Sequence, residues 1–172
     1  MEQAQWRNVK LLLISGCMLI LAALTPWLLT WAPSFFGVTA FSVPTGSMSP
    51  EIPPGSLAYV SEGSLSEGDV AAFYSMDGRV LVLHRVIDID MGARTMATKG
   101  DANLSEDPVR IPFRNIVGKL LTSVPYLGTF SEIAAAPAGR ACRAMAAGAG
   151  AMLIVAAWTI CREPDMRAYK TR

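Results

Sequence analysis

The sequence predicts a mostly β domain carried between two membrane-spanning helices. Three observations predict it. No charged residue occurs from Leu11 to Pro50. A β-branched run, Val80 to Ile89, follows the turn Asp77-Gly78 in mid-chain. A second charge-free stretch runs from Ala144 to Cys161. With 172 residues, 52% of them hydrophobic, the chain has room for one small domain and is more apolar than an ordinary soluble one.

The first apolar stretch is densest from Leu11 to Trp31, which as a helix is about 30 Å long and enough to cross a bilayer. Arg7 and Lys10 precede it, and Trp27 and Trp31 close it. A basic flank followed by an aromatic belt predicts a cytoplasmic N-terminus (1–8) and a transmembrane helix over 9–32. Pro26 is tolerated in such a helix. Val38-Thr39-Ala40 resembles a small-residue cleavage site. However, the apolar run exceeds the roughly 7–15 residues of a secretory h-region, which favours an uncleaved anchor.

The middle of the chain, 33–140, is expected to be an extracytoplasmic β-rich domain. Val70 to Tyr74 reads as a strand partnering the Val80 to Ile89 run across Asp77-Gly78. Leu57 to Ser61 and Asn115 to Val124 are further strands. Pro53-Pro54-Gly55 and Gly68-Asp69 punctuate them as turns.

After Ala134 the composition turns to Ala and Gly. A second transmembrane helix is expected over 141–161, with a cytoplasmic tail at 162–172. The tail holds Arg162, Arg167, Lys170 and Arg172, against Arg140 and Arg143 on the near side. The positive-inside rule then places both termini in the cytoplasm. An amphipathic or buried Ala-rich helix has the same composition.

The net charge of +1 gives no basic stripe for nucleic acid. The three cysteines, Cys17, Cys142 and Cys161, are odd in number and lack ligand spacing. Neither a disulfide framework nor a metal site is expected.

Chemistry concentrates in three places. In Thr45-Gly46-Ser47-Met48-Ser49-Pro50, the glycine permits a sharp turn and close approach of a carbonyl. The Ser47 N–H and the Thr45 hydroxyl can then face a developing oxyanion. Most serines in such loops only form turns. His84, the one histidine, is the only candidate for the base of a Ser–His pair. The loop Thr98 to Pro108 offers Asp101, Glu106 and Asp107, any of which can orient an imidazole.

Taken together, these blocks resemble signal peptidase I of the endoplasmic-reticulum and archaeal type. TGSMSP resembles the nucleophile motif S-G-S-M-x-P. GDVAAF resembles G-D-I-V-x-F, and VLVLHRVI resembles I-P-I-V-H-R-V-I, where histidine replaces a lysine base. TKGDANLSED resembles T-K-G-D-N-N followed by a second acid, and VGKLLTSVPYLG resembles V-G-x-V…V-P-Y-x-G. Ala102 and Ser56 depart from the pattern.

The resemblance implies two packed antiparallel sheets and a serine endopeptidase that removes signal peptides from preproteins. It implies Ser47 as nucleophile, His84 as base, Asp107 as the triad acid and Asp101 as a second acid nearby. Thr45 falls on an oxyanion-stabilising position. No cofactor is implied. The expected partners are preprotein signal peptides and the lipid bilayer; accessory subunits are open. The expected location is the cell membrane, or the endoplasmic-reticulum membrane in a eukaryote. Two alternatives are a Ser–Lys enzyme using Lys99 and a membrane-anchored scaffold with a degenerate site.

Overall fold

The computed structural model describes residues 2–162. The expected cytoplasmic tail, with Arg167, Lys170 and Arg172, lies outside the described residues except for Arg162. The chain divides into two units. One holds Met1–Pro26 and Ala134–Arg172, and the other is Trp27–Ile133.

The first unit is helical. Helix α1 spans Glu2–Trp31 and helix α3 spans Pro137–Arg162. Both are long and apolar enough to cross a membrane. Within the unit they meet at Gly16 and Gly150. A Cβ on Gly16 would sit 2.7 Å from the Gly150 carbonyl oxygen, and one on Gly150 would sit 2.7 Å from the Gly16 oxygen. The two backbones therefore touch, as small residues allow between apolar helices. Among the described residues, Val9, Gly16, Ala23 and Pro26 are buried on α1, and Gly150 and Ala157 on α3. The seven-residue spacing of Val9, Gly16 and Ala23, and of Gly150 and Ala157, keeps one seam facing the partner helix.

The second unit is built on strands β1 (Val38–Val43), β2 (Ser56–Ser61), β3 (Val70–Tyr74), β4 (Leu81–Asp90), β5 (Thr95–Lys99), β6 (Ile111–Pro112) and β7 (Ile116–Val124). A 3-10 turn, Ala32–Phe36, precedes β1. A short helix, α2, follows β7 at Leu127–Ala135. All described pairings are antiparallel. The order is β1-β2-β7-β3-β4-β5-β6 in one continuous sheet. This differs from the expected two packed sheets, because β7 pairs with both β2 and β3 and joins the two halves edge to edge.

The sheet is covered on both faces, and β3 shows why. Successive side chains of a strand point to opposite faces. Val70 and Ala72 enter one core with Val43, Met48, Ile52, Ala58, Val60 and Leu83. Ala71 and Phe73 enter another with Val86, Met96 and Ile111. Four consecutive buried residues in β3 therefore read as a continuous apolar run rather than an alternation. Outside the cores, Lys119 on β7 pairs with Asp69 before β3 at 2.8 Å. That bond, with the Ser66 N–H, lowers the Asp69 carboxyl below its ordinary pKa. The Tyr59 hydroxyl donates to the carbonyl of Leu29, which lies near the start of this same unit.

Candidate active site

Ser47 lies in the loop between β1 and β2. The next residue, Met48, is fully buried, and Ile52 is 1% exposed. Both side chains belong to the first core. Burying each contributes about 1.5–3 kcal/mol and fixes the loop beside them. Backbone bonds tighten it further: Ser49 N–H to Gly46 O at 3.0 Å, Ile52 N–H to Met48 O at 2.9 Å, and Gly55 N–H to Val43 O at 2.7 Å. The methionine of the TGSMSP block is thus a structural anchor.

His84 is supplied by β4, flanked by Leu83 and Val86 in the two cores. It is 8% exposed, and Phe73 meets its ring edge-on. Its Nδ1 lies 2.6 Å from Asp107 Oδ2. A carboxylate only accepts, so Nδ1 is the donor, and Nε2 of a singly protonated ring is then the proton acceptor. Thr98, fully buried in β5, donates its hydroxyl to the same Asp107 oxygen at 2.6 Å. The Asp107 N–H donates back to the Thr98 carbonyl at 2.8 Å. Asp107 is therefore held from both its backbone and its carboxylate.

The loop after β5 closes onto the Ser47 loop. The Ala102 N–H donates to the Ser47 carbonyl at 2.8 Å. A Cβ on Gly100 would lie 2.7 Å from that same carbonyl oxygen, so only glycine permits the contact. The Ser47 hydroxyl itself is 3.5 Å from the Thr45 hydroxyl. Among the described residues it makes no hydrogen bond to His84.

Asp101 is not at the imidazole. It accepts from Arg85 Nε at 2.9 Å and Nη2 at 2.6 Å. The structure therefore joins His84 with Asp107 and Arg85 with Asp101. Thr98, Arg85 and Glu51, which reaches Arg85 from the Ser47 loop, were not among the expected site residues. A signal for two of them was present, since Thr98 and Arg85 stand inside the TKGD and HRVI blocks. An apolar depression of about 400 Å³, lined by Leu65, Ile89, Met96, Phe113 and Ile116, includes none of these groups.

The chain is similar to a signal peptidase I. Signal peptidase I W of Bacillus subtilis (strain 168) is 38% identical over 90 residues, 49% of this chain and 47% of that protein. The match thus spans about half the length of the curated relative. No family model matches the chain.

Proposed function

We propose that the chain is a membrane-anchored serine endopeptidase that removes signal peptides, of the Ser-His-Asp type. The observation that carries the reading is the Thr98–Asp107–His84 array, with the loop bearing Asp107 bonded to the loop bearing Ser47. The similarity to a signal peptidase I supports the substrate class.

In this reading Ser47 Oγ attacks the scissile carbonyl carbon, and its proton passes to His84 Nε2. Asp107 stabilises the resulting imidazolium. The Ser47 N–H and the Thr45 hydroxyl donate to the oxyanion. Collapse breaks the C–N bond, and Nε2 returns the proton to the leaving amine. Water then repeats the sequence on the acyl-enzyme. The Ser47–His84 bond forms when substrate binds, as catalytic bonds often tighten only in the complex. The substrate is a preprotein with small residues one and three positions before the cleaved bond. The test is to incubate the full chain in liposomes with a preprotein and sequence the new N-terminus. Absence of cleavage, with no labelling of Ser47 by a fluorophosphonate, would leave the scaffold reading.

The domains follow from the same reading: cytoplasmic 1–8, a span at 9–32, a catalytic domain at 33–140 outside, a span at 141–161 and a cytoplasmic tail at 162–172. Tags at both ends should be digested only when protease reaches the cytoplasmic side. Digestion of a C-terminal tag from outside would remove the second span.

A further inference from the structure

We infer that Arg85 is a positioning residue, and that with Glu51 and Asp101 it forms a clasp setting Ser47 against His84. This rests on the proposed peptidase reading. Arg85 follows His84 directly on β4, so whatever the guanidinium holds is held relative to the base. It reaches three segments. Nη2 bonds Glu51 Oε2 on the Ser47 loop at 2.5 Å. Nε and Nη2 bond both oxygens of Asp101 on the loop that carries Asp107. Nη1 donates to the Gly68 carbonyl, before β3, at 2.8 Å.

The arms differ in strength. The Asp101 arm is bidentate, the stronger and more directional geometry, and its carboxylate is 19% exposed. That bond raises the pKa of Arg85 still further above its ordinary value, so the guanidinium is charged throughout the working range. The Glu51 arm is monodentate, and its carboxylate is 60% exposed. Salt therefore screens the Glu51 arm and spares the Asp101 arm. Lysine cannot reproduce the fork, because an ammonium is a point charge with no planar donor pair.

The only other described hydrogen bond between the Ser47 loop and the 100–107 loop is the backbone contact from Ala102 to Ser47. Met48 and Ile52 hold the Ser47 loop to the core, but that contact ties it to the 100–107 loop at one point only. The Glu51 arm supplies a second point four residues further on, which fixes the angle. Losing it misaims the hydroxyl without unfolding the loop, since Met48 and Ile52 keep their core places.

The experiment is the rate of Ser47 phosphonylation by a fluorophosphonate, which releases fluoride as the serine proton passes to the base. The full chain in liposomes is compared with Arg85→Gln, Arg85→Lys and Glu51→Gln, each with its melting temperature. Labelling of the wild type, abolished by Ser47→Ala, establishes the serine-enzyme reading separately. Given that, the clasp predicts that kinact falls about 10–100-fold in Arg85→Gln, as small misplacements do. KI should stay within about twofold, with partial recovery in Arg85→Lys. Glu51→Gln should lose about threefold at low salt, and the wild type should fall to the same rate as salt rises. If Arg85→Gln does not fold, Glu51→Gln and the salt series decide. An unchanged kinact in the folded variants, or salt sensitivity surviving in Glu51→Gln, would overturn the inference.

Discussion

Ser47→Ala is expected to abolish preprotein cleavage, by on the order of 10⁴-fold or more, while the protein stays folded and membrane-inserted. The two halves of that expectation have separate causes. The rate falls because, in the proposed reading, the acyl-enzyme forms on the Ser47 hydroxyl. The fold survives because, among the described residues, the hydroxyl makes only the long contact to Thr45, whereas Met48, Ile52 and the backbone bonds hold the loop. A change that touches so little should shift stability by no more than about 0.5 kcal/mol. His84→Ala should be as damaging, and the double variant no worse than either, since the two groups act as one unit. Lys99→Arg should be mild. The measurement is single-turnover cleavage beside a melting curve. More than a few per cent residual activity in Ser47→Ala would remove it as nucleophile.

Asp107→Asn is expected to cost roughly 10³–10⁴-fold in turnover with little loss of fold. Its Oδ2 accepts from both His84 and Thr98. An amide has two ways to fill that place. If its oxygen takes it, both bonds survive but the charge that stabilises the imidazolium is gone. If its NH₂ takes it, Nδ1 must become the acceptor, and Nε2 then carries the proton and cannot act as base. Either way the chemical step suffers. Asp101→Asn should behave differently, weakening the bidentate Arg85 bond and lowering the melting temperature together with activity. Measuring turnover and melting for both variants decides between them. A fully stable, inactive Asp101→Asn beside a working Asp107→Asn would reverse the roles.

The roles of the two acids show where sequence reading stops. They stand six positions apart in a turn-rich loop, and nothing local separates them. What separates them is Arg85, which occupies Asp101 from a strand distant in sequence. Strands β2, β3, β4 and β7 were legible because their runs are apolar, β-branched and bounded by turns. β1 was hidden inside the charge-free stretch that reads as one long apolar segment. β5 escaped because five residues ending in Thr and Lys carry no strong alternation. The seam between α1 and α3 was invisible for a related reason: where every residue is apolar, hydropathy cannot mark one face. The single sheet was illegible too, since no local signal places the last strand in the middle.

That placement of β7 bears on when the two halves of the domain come together during synthesis. During synthesis the nucleophile, the base and both acids emerge by residue 107. Yet the β1-β2 hairpin and the β3-to-β6 half share no strand pairing until residues 116–124 arrive and zip between them. Pairings of such long sequence separation form late, because loop closure must precede the contacts that reward it. A nascent chain arrested before β7 would carry His84 and Asp107 on one half and Ser47 on the other, with no strand pairing between the halves. In the proposed peptidase reading, the assigned nucleophile and base would thus come together only once the sheet is complete.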